Sequence, residues 1–299
     1  MSVVVLGSSG QLARHLRAVL PGALFWGRDT HDMNELAALE SALIEAAPRA
    51  IVNAAAYTAV DRAESEPAAA WRLNAEAPAA AARAAEHTGA SLVHISTDYV
   101  FDGRATEPYA ADAPVNPLNC YGASKLGGEL AVRSLCRRHW ILRTSWVFSE
   151  FGQNFVKTVL RLAAAGGPLR IVADQFGQPT YAGDLAALIG ALVRTTGAAA
   201  APPKVGFGVY HATGGPAVSW HAFAEHIVAK AVTQGLLPAP VTIKPITTAD
   251  YPTAAARPAH GVLAPSAELL AGCGADFNWL ERLDQALAEI QDNKMAWTQ

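Results

Sequence analysis

The chain opens with the run V-V-V-L-G-S-S-G-Q-L-A, residues Val3 to Ala13. Its first four residues are apolar and mostly β-branched, which predicts a buried strand. From Gly7 the sequence reads G-x-x-G-x-x-A and continues as an amphipathic helix to about Leu20. In a strand–turn–helix unit of this kind, the first glycine permits a tight turn and the second lets a pyrophosphate approach the helix N-terminus. We therefore predict a dinucleotide site here, rather than an ordinary glycine turn.

Short apolar runs alternate with helical segments through the first half of the chain. Further strands are predicted at Ala23 to Trp26, Ala50 to Val52, Ala90 to Ile95 and Trp140 to Arg143. Such alternation predicts an α/β fold with a parallel sheet that is covered by helices on both faces. We predict a Rossmann-type doubly wound dinucleotide-binding domain over residues 1–150. Residues 151–299 are predicted to form mainly a smaller C-terminal substrate lobe, with some segments returning to the first domain.

Composition excludes several classes of protein. The chain has 299 residues, of which 51% are hydrophobic and 16% charged, as expected of a globular domain with a large core. The formal net charge of −3 leaves no basic surplus for a phosphate backbone, so we expect no nucleic-acid partner. We find no signal peptide and no apolar run of membrane-spanning length, so we expect no membrane partner. Three scattered cysteines without zinc spacing favour a reducing, cytoplasmic protein with no structural metal.

A candidate catalytic set lies between residues 96 and 125. A predicted strand runs directly into S-T-D-Y-V-F-D-G from Ser96, and a helix is predicted to begin with Y-G-A-S-K at Tyr121. Tyr121 and Lys125 are four residues apart and therefore share a helix face. A tyrosine can supply a proton, a nearby ammonium can lower its pKa towards neutrality, and the Thr97 hydroxyl can hydrogen-bond a carbonyl oxygen. Because Y-x-x-x-K also arises by chance on helices, this prediction depends on the other motifs.

The end of the second predicted strand bears on the choice between NADPH and NADH. NAD-type sites place an acidic residue there, which bonds the ribose 2′-hydroxyl. This chain has Arg28 instead, and a guanidinium at that position can grip a 2′-phosphate. Asp29 and Asp32 follow closely, so NADPH is the predicted cofactor and NADH stays open as a second one. The alternative for Arg28 is an ordinary solvated surface charge.

Six motifs follow one another along the chain: G-S-S-G-Q-L from Gly7, N-A-A-A-Y-T from Asn53, S-T-D-Y-V-F from Ser96, Y-G-x-x-K from Tyr121, R-T-S-W-V-F from Arg143 and D-Q-F-G-Q-P-T from Asp174. In this order and spacing the sequence resembles the dTDP-4-dehydrorhamnose reductases, which are extended short-chain dehydrogenases/reductases. The resemblance extends from Val3 to about Leu263. It implies NAD(P)H-dependent reduction of the 4-keto group of dTDP-4-dehydro-L-rhamnose, which gives dTDP-L-rhamnose.

Together the motifs and the resemblance assign residues to the site. Tyr121, Lys125 and Thr97 are expected to be catalytic. The expected cofactor-binding residues are Gly7, Gly10, Gln11, Leu12, Arg28, Asp32, Met33, Ala56, Tyr57, Thr58, Tyr121 and Lys125. The expected substrate contacts are Thr97, Asp98, Tyr99 and Trp146. No metal ligands are assigned.

The sequence departs from the family pattern in two places. Tyr57 stands where histidine is common, and R-P-A-H-G-V-L from Arg257 replaces R-P-x-N-S-x-L, which bears on substrate recognition. Two other functions stay open: a non-catalytic NADP-binding regulatory subunit, and another nucleotide-sugar epimerase or dehydratase. We expect a nucleotide-sugar substrate and a monomer or homodimer.

Overall fold

The computed structural model describes residues 2–196 and 205–292. Its centre is a six-stranded parallel sheet in the order β10-β5-β4-β3-β1-β2. The strands are β1 Val3–Leu6, β2 Leu24–Trp26, β3 Ala50–Asn53, β4 Ser91–Thr97, β5 His139–Thr144, β6 Val147–Phe148, β7 Leu169–Val172, β8 Phe176–Gly177, β9 Thr180–Tyr181, β10 Gly208–His211, β11 Val218–Ser219 and β12 Ile243–Ile246. Strands outside the central sheet form three small pairs, β11 with β8, β12 with β7 and β6 with β9.

Helices cover both faces of the central sheet. They are α1 Gln11–Val19, α2 Leu36–Ala46, α3 Val60–Ser65, α4 Pro67–Trp71, α5 Ala77–Thr88, α6 Cys120–Leu135, α7 Phe155–Ala164, α8 Ala182–Arg194, α9 Trp220–Thr233, α10 Ala267–Cys273 and α11 Trp279–Asp292. A π-helical turn, Arg72–Glu76, joins α4 to α5, and 3₁₀ turns cover Asp98–Val100 and Thr248–Asp250. The predicted α/β class with a doubly wound parallel sheet is confirmed.

Apolar side chains on the two faces of the sheet explain this layering. The β1 residues Val3 and Val5 belong to a core shared with α1 and α8, whereas Val4 and Leu6 belong to a core shared with α2 and α5. Alternate residues of a strand point to opposite faces, so a fully apolar strand has to be covered twice. This is why the short run at the start of the chain predicts a buried central strand.

The strand order reverses at β1, because β2 lies on one side of it and β3 on the other. In open α/β sheets, ligands bind at the carboxyl ends of the strands where the order reverses. The polar residues that follow β1, β3, β4 and β5 therefore lie along one edge of the sheet.

A separate core lies beyond residue 147. It is formed by α7, α9 and α11, with Phe223, Trp279 and Leu283 among its fully buried members. Other late segments contact the first half instead: α8 packs on α1, and β10 pairs with β5 in the central sheet. The division of the chain at residue 150 stays a prediction. Within the described ranges, no helix has both the length and the hydropathy that a membrane crossing requires.

Candidate active site

A cavity of about 900 Å³ runs along the carboxyl edge of the sheet. Its walls come from the loops after β1, β2, β3, β4 and β5 and from the start of α6. With the exception of Tyr57, the residues that the sequence assigned to the site all line it: Gly7, Gly10, Gln11, Leu12, Arg28, Asp32, Met33, Ala56, Thr58, Thr97, Asp98, Tyr99, Tyr121, Lys125 and Trp146. The structure therefore brings the predicted cofactor, catalytic and substrate residues into one space.

The glycine turn is open towards this cavity. Gly7 has a φ of +105°, and a Cβ there would lie 3.3 Å from the backbone nitrogen of Ala55. Gly10 is the N-cap of α1 without a side-chain cap, and a Cβ there would meet nothing within 4 Å. Open space therefore adjoins the start of α1, where the first N–H groups of a helix have no intrahelical partner and the helix dipole is positive, which suits a pyrophosphate.

Arg28 is exposed on the cavity wall. Within residues 2–196 and 205–292 it makes no hydrogen bond or ion pair. Of its acidic neighbours, Asp32 is engaged locally, since its Oδ1 accepts from the backbone and the side-chain amide of Asn34, both at 2.9 Å. The guanidinium is therefore available for an anion in the cavity.

Tyr57 is hydrogen-bonded to residues that do not line the cavity. Its hydroxyl donates to Oε2 of Glu66 at 2.5 Å, and its backbone N–H donates to Oδ1 of Asn74 at 2.8 Å. The hydrogen bond to Glu66 raises the pKa of Tyr57 and lowers that of the carboxyl. The phenol belongs to this surface cluster, whereas the neighbouring Ala56 and Thr58 line the cavity.

Close packing of α6 on the end of β4 brings the catalytic set together. A Cβ on Gly122 would lie 2.2 Å from the carbonyl oxygen of Tyr99, so the helix start can approach this closely only because residue 122 is glycine. The side chain of Asn119 caps the helix by accepting from the Gly122 N–H at 2.7 Å. As a result Tyr121 lies against Tyr99, with ring centroids 5.4 Å apart, and within hydrogen-bonding range of Thr97.

Burial sets the protonation of the phenol and the amine. It raises the pKa of Tyr121 to about 12; the hydrogen bond with Thr97 lowers this pKa, and the charge of Asp98 raises it. Burial lowers the pKa of Lys125 to about 8, against the favourable charge of Glu129. Nζ of Lys125 donates to the carbonyl oxygen of Ile95 at 2.6 Å.

The predicted lowering of the Tyr121 pKa towards neutrality by Lys125 is therefore wrong for this structure. Burial raises this pKa, and the Lys125 ammonium is hydrogen-bonded to the backbone carbonyl of Ile95. Tyr121 is consequently a neutral phenol at pH 7 and still carries the proton that a donor must give.

Asp98 is a buried carboxyl at the cavity wall, with 2% of its surface exposed. Its Oδ1 accepts from Oγ1 of Thr97 at 2.9 Å, and burial raises its pKa to about 7. A Cβ on Gly261 would lie 2.7 Å from Oδ2 of Asp98. The segment around Gly261, where the sequence departs from the family pattern, thus packs directly on a predicted substrate contact.

An aromatic pair forms part of the cavity wall. Trp146 stacks on Trp220 with ring centroids 3.4 Å apart and planes within 9°. The backbone of Trp146 has a φ of +45°, which is uncommon for a residue with a side chain. Trp220 could not be predicted from the sequence, because it follows the N-cap Ser219 of a distant helix and no local signal places it at the site. Ser145 and Gln153 also line the cavity and were missed.

Comparisons with known proteins agree with this geometry. The family model described as the RmlD substrate binding domain matches residues 1–292. A dTDP-4-dehydrorhamnose reductase from Burkholderia thailandensis is 44% identical over 273 residues, which cover 89% of this chain and 91% of the relative. A protein from Streptomyces antibioticus, named as a probable dTDP-4,6-dihydroxy-2-methyloxan-3-one 4-ketoreductase, is 38% identical over 97% of this chain and 96% of its own length.

A solved structure supports the same family assignment. The crystal structure of dTDP-4-dehydrorhamnose reductase from Bacillus anthracis, in complex with NADP, superposes with a TM-score of 0.86 at 34% identity, and covers 97% of this chain and 100% of its own. The chain belongs to the family of the RmlD substrate binding domain, together with these dTDP-4-dehydrorhamnose reductases.

Proposed function

We propose that this chain is an NADPH-dependent dTDP-4-dehydrorhamnose reductase, which reduces the 4-keto group of dTDP-4-dehydro-L-rhamnose to give dTDP-L-rhamnose. The observation that supports this most is the meeting of Thr97, Tyr121 and Lys125 in a cavity that also contains the open glycine turn. A dinucleotide turn beside a proton donor is what the reduction of a carbonyl requires.

The cavity walls fit a dinucleotide phosphate. Gly7, Gly10 and the start of α1 offer backbone N–H groups for the pyrophosphate, and the exposed Arg28 offers a cation for a 2′-phosphate. When bound, the reduced nicotinamide supplies a hydride to the carbonyl carbon. In this proposal the glycine turn holds the pyrophosphate that both cofactors carry, and Arg28 sets the preference for NADPH over NADH.

The chain's own residues supply the proton and orient the carbonyl. Thr97 hydrogen-bonds the C4 oxygen, and Tyr121 gives its proton to that oxygen as negative charge develops there. The pKa of about 12 keeps the phenol protonated before this step. The Lys125 ammonium, 2% exposed, then stabilises the phenolate that remains. Trp146, supported by Trp220, bounds the space left for the sugar nucleotide.

A turnover assay tests this function. The protein is incubated with NADPH and the keto-sugar made from dTDP-glucose by a 4,6-dehydratase and a 3,5-epimerase, and the product is identified by chromatography and NMR. We expect one NADPH oxidised per dTDP-L-rhamnose formed. A product without net NADPH oxidation favours an epimerase or dehydratase, and tight NADPH binding without turnover of any dTDP-4-keto sugar favours the regulatory subunit.

The relative from Streptomyces antibioticus supports a second candidate within the same chemistry, which is reduction of a different dTDP-4-keto sugar. Comparing kcat/KM for the two sugars decides between them.

Cys120, Cys136 and Cys273 are free thiols, which supports a cytoplasmic location as part of the proposal. The oligomeric state, a monomer or a homodimer, stays a prediction.

Replacing Arg28 with alanine is expected to lower kcat/KM for NADPH about 10–100-fold and to leave that for NADH within about threefold. The reason is the loss of a charge-assisted contact to the 2′-phosphate, which only NADPH carries. Steady-state kinetics with both cofactors measure the change, and Arg104→Ala, at an exposed arginine outside the cavity, is the control. An NADPH preference that survives Arg28→Ala removes this residue from the proposal.

The pH profile of reduction should fall on its basic side. Lys125 has a pKa of about 8, below the usual value for a lysine, and the proposed step needs its protonated form. Turnover is therefore expected to decline as pH rises through this pKa. In Lys125→Arg, whose guanidinium stays charged, the residual activity should lose this decline. A wild-type profile that stays flat to pH 10 contradicts the assignment.

A further inference from the structure

A buried charged pair lies beneath the catalytic set. Nη2 of Arg143 donates to Oε2 of Glu129 at 2.7 Å, and Nε donates to Oε1 at 2.9 Å. Their side chains are 3% and 1% exposed. The Oγ of Ser96 also donates to Oε1 of Glu129, at 2.5 Å. Two charges out of solvent persist only with such complete pairing.

This pair connects the three elements that carry the site. Glu129 lies one turn after Lys125 on α6. Ser96 directly precedes Thr97 at the end of β4, and it is the register partner of Arg143 on β5. The guanidinium is fixed further by donating to the carbonyl oxygen of Ala111 at 3.0 Å and by lying 5.1 Å from the centre of the Phe101 ring. Movement of α6 relative to β4 would break several of these bonds together.

The charged and titratable groups around Lys125 come from four elements. Glu129 on α6 and His94 on β4 interact electrostatically with Lys125. Arg143 on β5 is bonded to Glu129, and Tyr121 on α6 and Asp98 on the 3₁₀ turn line the same cavity as Lys125. Burial lowers the pKa of His94 well below its usual value, so this ring is neutral. The charged groups of the other elements packed on α6 are engaged near the surface: Arg62 with Glu66, Arg72 with Glu76, Arg83 with Glu40, Glu86 with Arg137, Asp61 with Arg257, and Glu64 with the Cys120 N–H.

We infer that Glu129 and Arg143 are positioning residues for the reduction: their buried pair fixes the helix of Tyr121 and Lys125 to the strand end of Thr97, and it keeps the charge beneath Lys125 balanced. This inference rests on the proposed function for its catalytic meaning. Neither residue lines the cavity, so both act through Lys125 and Thr97.

Because the charges of Glu129 and Arg143 oppose each other, neutralising either one should shift the pKa of Lys125 in a direction that can be predicted. Glu129→Gln keeps an acceptor for Ser96 but leaves the Arg143 cation alone beneath Lys125, which disfavours the ammonium. Arg143→Gln leaves the Glu129 carboxylate alone, which favours the ammonium. The two substitutions should therefore move the pKa of Lys125 in opposite directions, by about one pH unit each. A purely structural role predicts loss of stability without opposite shifts.

The test titrates Lys125 directly by NMR, in protein labelled with ¹³C at the lysine Cε and without cofactor. Lys125→Met identifies the resonance. We expect the midpoint to fall from about 8 in Glu129→Gln, to rise in Arg143→Gln, and to stay near the wild-type value in Glu86→Gln, where a surface pair is broken. The basic side of the reduction profile should move with the midpoint, by the same amount.

A double variant, Glu129→Gln with Arg143→Met, covers the case in which one single variant does not fold. Replacing both charges of a buried pair is often tolerated, and the double variant should return the midpoint towards the wild-type value. Shifts of equal sign in the two single variants, or a double variant no closer to wild type than Glu129→Gln, overturn the inference. Because this titration needs no substrate, it gives its result even if the wild-type protein fails the reductase assay.

Discussion

Tyr121→Phe is expected to lower kcat for reduction by about 10²–10⁴-fold, while the dissociation constant for NADPH stays within about threefold of the wild-type value. The substitution removes one hydroxyl and keeps the ring, so the edge contact with Tyr99 remains. The carbonyl then has no proton donor at the start of α6, because Thr97 only holds the oxygen.

The loss should appear in single-turnover experiments with saturating NADPH, which separate chemistry from binding. Tyr210→Phe is the matched control, since that hydroxyl donates to the carbonyl oxygen of Gly206 and does not line the cavity. It should leave kcat unchanged. If Tyr121→Phe retains more than about a tenth of the wild-type rate, the proton comes from another group and the assignment of Tyr121 is wrong.

The second large effect concerns stability. Glu129→Ala is expected to lower the free energy of unfolding by about 3–5 kcal/mol, because the buried Arg143 is left without its carboxylate. The guanidinium is only 3% exposed and cannot regain water without opening the sheet. Urea denaturation followed by circular dichroism measures the change.

Glu86→Ala is the control for that experiment. Its partner Arg137 is 90% exposed, so this surface pair should contribute less than about 1 kcal/mol. A loss in Glu129→Ala no larger than in this control would show that the buried pair adds little to stability. The double variant described above should lie between the two.

Much of the fold follows from the sequence because local patterns and layer packing agree. The uninterrupted apolar run Val3 to Leu6 can be buried only between two helical layers, and the glycine turn after it marks the edge at which ligands bind. Residues that follow β3, β4 and β5 in the chain then collect at the same edge. For this reason most predicted site residues, from Gly7 to Trp146, line one cavity.

Other features depend on contacts between distant residues, which local patterns do not contain. Trp220 is far from Trp146 in the chain, and only the packing of α9 brings the rings face to face. The phenol of Tyr57 is held by Glu66, although its position in the N-A-A-A-Y-T motif suggested a cofactor contact. The pKa of Tyr121 was predicted in the wrong direction because its burial cannot be judged from the spacing of Tyr121 and Lys125.

The roles of the individual site residues are proposals, whereas the membership of the family is shown by the comparisons. The central claim is that hydride arrives at C4 of a sugar while Tyr121 protonates the oxygen on that carbon. The hydride ends on one defined carbon of the sugar, so an isotope on the nicotinamide can follow it.

The most direct measurement uses NADPH deuterated at the transferred C4 position of the nicotinamide, with dTDP-4-dehydro-L-rhamnose as substrate, and analyses the product by mass spectrometry and NMR. We predict dTDP-L-rhamnose with one deuterium at C4 for every NADPH oxidised, formed by wild type far faster than by Tyr121→Phe. Product lacking deuterium at C4, or NADPH that remains reduced while the sugar is consumed, would contradict the proposed reaction.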